Sequence, residues 1–531
     1  MRQTIDLNRN WRFHLGEAEN ASYQGYDDRA WRAVTLPHDW SVEAPFDPAC
    51  SSGTGYLPGG VGWYRKIFTL PEDLGDQRVY VTFGGVYQHS RCWINSHYLG
   101  MVAAEGWWAP YAAGQVHGSQ SLTKTMTGSA FGVAMLEGLM SLDTRLIDIF
   151  PEYAPLCAGK PYWDGLTMRY MTTMAAGMEK QPAVTDPEWI RKFFTMDIVH
   201  QPGTAFYYNS AACSMVGACI RRKTGLGLRE YLRTRLLEPI GIDADHLKWN
   251  LHPDGMENGS GGLVSSTEDN ARMMELYRQG GRWNGKQLLS PEWVAFATQT
   301  QNPHLDPPVS YCGMMWKHDE CLMADGAMGQ WAMLFPQKDT IVSLSQTITS
   351  GEQGDAVMKA VFAFARNLPD AALPEAPRDA AAPAQRMKKL TLPTPEYAEN
   401  PGLLKRLAHQ RYAVTEGNMS FFADDLKIFN PGYELPVRGF GFDALDGNLL
   451  FTVQTEGGTV TCPVGLKGQR LVSTALSVNP ACTAALSGAM PDDQTLKMEI
   501  RWLESCRVHR LTFHFDEAGA EVTSSMFSID I

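Results

Sequence analysis

Residues 367–385 read NLPDAALPEAPRDAAAPAQ, with four prolines and no apolar periodicity. Proline fixes φ and cannot donate a backbone hydrogen bond, so no helix or strand of a shared core runs through such a stretch. The segment 368–390 is expected to be a semi-rigid linker or strap between parts that bury separate apolar faces. A chain of 531 residues is also too long for one core, and its length suggests about three domains.

The texture differs on either side of that break. Residues 1–110 are rich in aromatic and turn residues, and WYRKIFTL (63–70), RVYVTFGG (78–85) and RCWINSHYLG (91–100) alternate as half-buried strands do. They predict a β-sandwich. Residues 111–367 carry helical spacing in SLTKTMTGSAFGVAMLEG (Phe131, Val133, Met135, Leu136, Leu139), SAACSMVGACIRRKTG and TEDNARMMELYRQGG, each ending at glycine. WAMLFP and TIVSLSQT read as strands, so this part is expected to be α+β, a helical cluster on an antiparallel sheet. Beyond the break, residues 391–531 predict a small β-domain. Leu496, Met498, Ile500 and Trp502 fall on one strand face, as do Leu511, Phe513 and Phe515.

Composition excludes some functions. With net charge −12 the chain has no basic footprint for nucleic acid or anionic membrane. Ten cysteines are scattered without a C-x-x-C pair, which predicts buried thiols in a reducing compartment and no metal centre. MRQTIDLNRNWRF lacks an apolar leader core, and no window approaches 18 apolar residues. The expected location is cytoplasmic, and the expected partner a small molecule.

Within SQSLTKTMTG (119–128), Ser121 and Lys124 stand three apart. On a helix these positions share a face, so the two side chains meet without help from tertiary structure. An activated serine needs a base within hydrogen-bond reach and donors for the developing oxyanion. A lysine serves as that base only in its neutral form, and a second polar group must carry the proton to the leaving group. Tyr208, at the start of the helix in PGTAFYYNSAACSMVGACIRRKTG, is the candidate. His117 is read as a loop residue.

Here the text resembles a known family. SLTKTMTGSAFGVAMLEGLMSLDTRLIDIFPE, LTMRYMTTMAAGM, PGTAFYYNS, LLEPIGI, GGLVSSTEDNARMMELY and GAMGQWAMLFP follow in the order found in serine β-lactamase-related hydrolases, over about 240 residues. That group includes class C β-lactamases, D-Ala-D-Ala carboxypeptidases and family-eight carboxylesterases. The resemblance implies a β-lactamase-like, transpeptidase-like fold, Ser121 as acylated nucleophile, Lys124 as its base partner and Tyr208 as the tyrosine of Y-x-N. That motif reads Tyr208-Asn209-Ser210 here, with Ser210 in place of the asparagine. The third motif, K-T-G or H-x-G, aligns with Ala324-Asp325-Gly326, and the resemblance implies Asn209, Ser210, Asp325 and Gly326 as substrate-binding residues. Gly326 is expected to bring flat backbone to the substrate, while the Asp-Gly pair is also an ordinary turn signal. Backbone N–H groups of Ser121 and Ala327 would form the oxyanion hole. No cofactor is implied.

YDDRAWRAVTLPHDWS (26–41), GYLPGGVGWYRKIFTLPE (55–72) and FGGVYQHSRCWINSHYLG (83–100) resemble the N-terminal sugar-binding sandwich of glycoside hydrolase family two, the β-galactosidase family. The likeness implies a truncated, jelly-roll-like sandwich and brings a carbohydrate among the expected partners, with Trp107 and Trp108 as stacking candidates. His38, Asp39 and tryptophans 31, 40, 63 and 93 are read as packing and turn residues. The two barrel carboxylates that glycosidase chemistry requires have no counterpart, so β-galactosidase activity is not expected.

Only about ten residues separate the two resemblances, although the hydrolase family places its first strands there. Strands at 89–95 and 97–103 are expected to substitute for them. Alternatively the open edge pairs with a second chain, giving a homo-oligomer. The reading is a serine hydrolase forming an acyl-Ser121 intermediate, foremost a carboxylesterase on small acyl esters, with a small-molecule ester or amide as the expected partner. A divergent β-lactamase or D-amino-acid peptidase, and a non-catalytic carbohydrate- or peptidoglycan-fragment-binding protein with a relict site, stay open.

Overall fold

A computed structural model describes residues 5–48, 50, 56–69, 81, 92–95, 97–98, 105–302, 309–318, 320–368, 387, 389–395, 400–416, 437–456, 458–475 and 483–526. The chain resolves into two compact units, residues 1–101 and 102–531.

In the first unit β1 (Trp11–Leu15) lies between β2 (Arg32–Val34) and β3 (Gly62–Arg65), antiparallel to both. The predicted strand 91–100 is instead a tight pair, β4 (Trp93–Ile94) with β5 (His97–Tyr98). Asn95 at φ 50° turns the chain between them, and asparagine tolerates that conformation better than most residues. Most of the strand expected at 78–85, and most of 89–103 outside this pair, falls outside the described residues, as do 369–386 of the expected linker. His38 and Asp39 are structural, as read. The His38 ring contacts Tyr64 Oη at 2.8 Å, and Asp39 accepts from the Ser41 N–H and hydroxyl at 3.0 and 2.7 Å.

The second unit starts with β6 (His117–Gly118), which leads through a short turn into α1 (Thr123–Leu136). Sequence spacing predicts one apolar face for this helix. In fact every residue from Thr123 to Ala134 is buried, because α1 is a central helix enclosed on all sides. Its small residues let neighbours approach closely. A Cβ on Gly132 would stand 2.3 Å from the Trp293 ring. α2 (Ser210–Thr224) packs along α1 and stops at Gly225, whose φ of 76° is the left-handed C-terminal conformation that glycine favours. Next come β7 (Lys248–Trp249), β8 (Leu263–Ser265) and α3 (Thr267–Arg278), with β8 between β6 and β7. Ser266 caps α3 in a reciprocal capping box with Asp269.

A five-stranded antiparallel sheet follows, in the order β9 (Ser310–Tyr311), β10 (Trp316–His318), β11 (Cys321–Gly326), β12 (Gln330–Phe335) and β13 (Thr340–Leu344). Among the described residues β13 is an edge strand. α4 (Gly351–Asn367) closes this part.

After the short helix α5 (Pro401–Leu407), the chain builds two antiparallel meanders. One is β14 (Gln410–Ala413), β15 (Val437–Leu445), β16 (Asn448–Thr455) and β17 (Gly458–Val464). The other is β18 (Leu471–Ser473), β19 (Ala484–Ala489), β20 (Thr495–Trp502), β21 (Val508–Phe515) and β22 (Ala520–Met526). Phe442, Phe451 and Phe513 join both sheets in one core. The predicted faces of β20 and β21 are buried there. Glu499 and Arg501, on the opposite face of β20, are buried as well. The turn after β20 meets the segment leading to the serine: the Gly118 N–H donates to the Glu504 carbonyl at 2.9 Å, and Gln120 Nε2 to Cys506 Sγ at 3.3 Å.

Candidate active site

The turn before α1 is fixed from several directions. Gln120 has φ 50°, a costly conformation for a residue with a Cβ unless its neighbours impose it. Here the Ser119 N–H donates to the Leu263 carbonyl at 2.8 Å, and the Ser119 and Ser265 hydroxyls meet at 2.7 Å. Thr123 Oγ1 donates to the Gln120 carbonyl at 2.6 Å and accepts from the Leu263 N–H at 3.0 Å. Ser121 therefore leaves β6 and enters the helix with little freedom.

One turn on, Lys124 is only 2% exposed. Its Nζ donates to Ser121 Oγ at 2.9 Å and to the Ser260 carbonyl at 2.7 Å, and lies 4.8 Å from the centre of the Tyr208 ring. Ser260 is held in a tight turn, its N–H and hydroxyl both donating to Asn258 Oδ1. The helical spacing thus delivers the serine–lysine contact, and Tyr208 from the start of α2 joins them.

A pocket of about 310 Å³ opens above these groups, lined by Ser121, Tyr208, Trp316, Asp325 and Ala327. Trp316 stacks on Tyr208 with ring centres 6.0 Å apart, and Tyr311 meets Trp316 edge-on at 5.0 Å. One wall is therefore aromatic.

Strand register decides what the third motif contributes. Asp325 pairs with Trp331 within β11 and β12, and the chain turns only afterwards, at Met328 (φ 63°) and Gly329 (φ 88°). The Asp-Gly pair is thus strand, not turn. Ala324 faces the core with no exposure, while Asp325 faces the pocket. Burial pushes the Asp325 carboxyl up to about 6, against the side-chain hydrogen bond from Trp331 and the charge of Lys124. The reason for Gly326 also changes. A Cβ there would stand 2.2 Å from the Ser119 carbonyl oxygen and 3.1 Å from the Leu122 nitrogen. The glycine lets β11 press against the serine turn, where close approach to a substrate was expected.

Two further expectations need revision. Asn209 is 1% exposed and caps α2, its Oδ1 accepting from the Ala212 N–H at 2.8 Å, so it is unavailable to a ligand. Ser210 opens α2 and is not among the residues lining the pocket.

Three contributors escaped the sequence reading. Trp316 forms the pocket wall, and the Ser260 carbonyl anchors Lys124. Gln330 holds the turn bearing Ala327: its Nε2 donates to the carbonyls of Gln346 (2.7 Å), Met328 (3.2 Å) and Ala327 (3.4 Å). His117 Nδ1 donates to Gln330 Oε1 at 3.0 Å. Burial pushes His117 down to about 4, so it is a neutral brace in β6 where a loop residue was expected. Only the glutamine in GAMGQWAMLFP, next to an all-apolar run, signals any of this.

The family model described as Beta-lactamase matches residues 85–365, more than half of the chain. A β-lactamase of Yersinia enterocolitica is 28% identical over 127 residues, 23% of this chain and 31% of that protein. Lovastatin esterase of Penicillium rubens is 26% identical over 148 residues, 23% of this chain and 37% of that protein. β-Galactosidase BoGH2A of Bacteroides ovatus is 44% identical over 102 residues, 19% of this chain and 12% of that enzyme. The chain spans between 12% and 37% of the length of these three relatives. No helix among the described residues is long and apolar enough to cross a membrane.

Proposed function

The chain belongs to the β-lactamase family of serine hydrolases, and on that premise we propose that it is a carboxylesterase working through an acyl-Ser121 intermediate. The observation that carries the reading is the 2.9 Å contact of Lys124 Nζ with Ser121 Oγ at the floor of a pocket that Tyr208 and Ala327 also line.

With Lys124 as the free amine, that contact passes the Ser121 proton to nitrogen while Oγ bonds to the acyl carbon. The carbonyl oxygen gains the negative charge, and the N–H groups of Ser121 and Ala327 are the donors available to it. Collapse of the intermediate breaks the bond to the leaving alkoxide, which takes a proton through Lys124 or Tyr208. Water then attacks the acyl-serine by the reverse route, releasing the acid and restoring the Ser121 hydroxyl.

The substrate reading follows from charge. Ala324 stands where the family has a cation, and the pocket presents the Asp325 carboxyl instead. A carboxylate-bearing β-lactam or peptide would lose a contact of about 1.5–3 kcal/mol and meet an acid in its place. A substrate without a carboxylate loses nothing.

Wild type and Ser121→Ala should be compared on p-nitrophenyl acetate, p-nitrophenyl butyrate and nitrocefin. Ester turnover is expected to fall by about 10³-fold or more in the variant. Nitrocefin turnover matching that of the esters would move the reading to a β-lactamase. Equal rates for both proteins on every substrate would leave only a binding role.

A further inference from the structure

Asp325 remains without a task in the mechanism above. It sits on the pocket wall, yet no arginine, lysine or histidine forms an ion pair with it among the described residues. Lys124 is directed to Ser121 Oγ and the Ser260 carbonyl and acts on Asp325 only through space. The Trp331 side chain gives the carboxyl one hydrogen bond. A carboxylate has about four acceptor sites, so capacity remains on the pocket side. Beside it stand the stacked rings of Tyr208 and Trp316. Lys124 Nζ and the Trp316 ring already flank Tyr208, so the aromatic contribution falls to Trp316, and an anionic oxygen next to an aromatic ring recognises an alkylammonium ion by hydrogen bond and by cation–π attraction.

Resting on the serine hydrolase reading, we propose that Asp325, with Trp316, binds a cationic ammonium group of the substrate within a few bonds of the carbonyl that Ser121 attacks. The distance follows from the pocket's small volume and from Asp325 and Ser121 lining it together. An acid that only braced the strand would be expected to have a cationic partner of its own.

The test uses two esters of equal size, p-nitrophenyl 3-aminopropanoate and p-nitrophenyl butyrate, with each rate divided by the ester's spontaneous hydrolysis rate. At pH 7.5 wild type should favour the ammonium ester by about 10- to 100-fold in kcat/KM. In Asp325→Asn the ratio should fall to within about threefold of one, whatever happens to absolute rates. A wild-type ratio near one, or an undiminished ratio in the variant, overturns the proposal. Should the variant not fold, n-butylammonium and butan-1-ol are compared as inhibitors of wild type. Tighter binding of the ammonium by about tenfold or more supports the assignment, and equal inhibition overturns it. Failure of the hydrolase reading looks different: Ser121→Ala would then cleave both esters as fast as wild type.

Discussion

Glu499 is a buried acid on a strand and Asp325 a half-buried one on a pocket wall, and the protein treats them in opposite ways. Glu499 on β20 is met by Arg470 at 3.2 Å, Arg501 at 3.1 Å and Arg510 at 3.4 Å. Burial pushes its carboxyl up, but Arg501 and Arg470 outweigh that and hold the group below its ordinary value. Asp325 on β11 has the Trp331 hydrogen bond and a through-space interaction with Lys124, and its carboxyl rises to about 6. The compensated acid fastens a sheet to its surroundings. The uncompensated one lines a pocket and is kept at a cost to the fold, as functional groups commonly are.

That contrast breaks first at Glu499. Glu499→Ala leaves Arg470 and Arg501 buried without their counter-ion and should lower unfolding stability by about 3–5 kcal/mol in urea melts. A change below about 1 kcal/mol would mean the cluster is no fastening. Because the folded group sits below 4.5, its contribution is complete above that value and is lost as pH falls through the folded pKa. Acid should therefore remove the difference between wild type and variant.

Asp325 carries the opposite sign. A carboxyl raised from 3.8 to about 6 favours the folded state most below 3.8 and progressively less as pH rises through about 6. Asp325→Asn should therefore stabilise the protein by roughly 2–3 kcal/mol at pH 8 and by little at pH 4, at about 1.4 kcal/mol per unit. Lys124 from α1, Trp331 from β12 and Tyr311 from β9 face it. A gain that does not vary with pH would show that the carboxyl is not strained by burial.

The smallest effect belongs to a neutral brace. Gln330→Ala frees the turn carrying Ala327, and kcat for p-nitrophenyl esters should fall about tenfold with KM little changed, a loss below the 10²–10³ of removing an oxyanion donor outright. If kcat holds and KM rises, the turn binds substrate and does not position the oxyanion donor.

What the sequence made legible here is what depends on short spacing. Ser121 and Lys124 meet because helix geometry brings residues three apart together, and Gly225 ends α2 where its sequence says it should. Asn209 was legible too, since an asparagine before a helical run is an ordinary cap, although the motif drew attention elsewhere. The rest was decided by tertiary contacts. Whether Asp325 or Ala324 faces the pocket depends on a register set by the turn at 328–329, and a shift of one residue would exchange them. Ser260 acts through a backbone carbonyl that no side-chain pattern reveals, and the Gln330 side chain finds its partners only through the fold. The sandwich-like resemblance of residues 26–100 falls partly outside the described residues.

The hydrogen bond from Gly118 to the Glu504 carbonyl joins residues almost four hundred positions apart. During synthesis Ser121 and Lys124 leave the ribosome long before the chain that supplies Glu504 and Cys506. The nucleophile's turn gains its last supports only after most of the C-terminal β-domain has been translated. A nascent or prematurely stopped chain carries the chemical groups without their full bracing, so the order of translation delays completion of the site until the strands around Glu504 and Cys506 have been made.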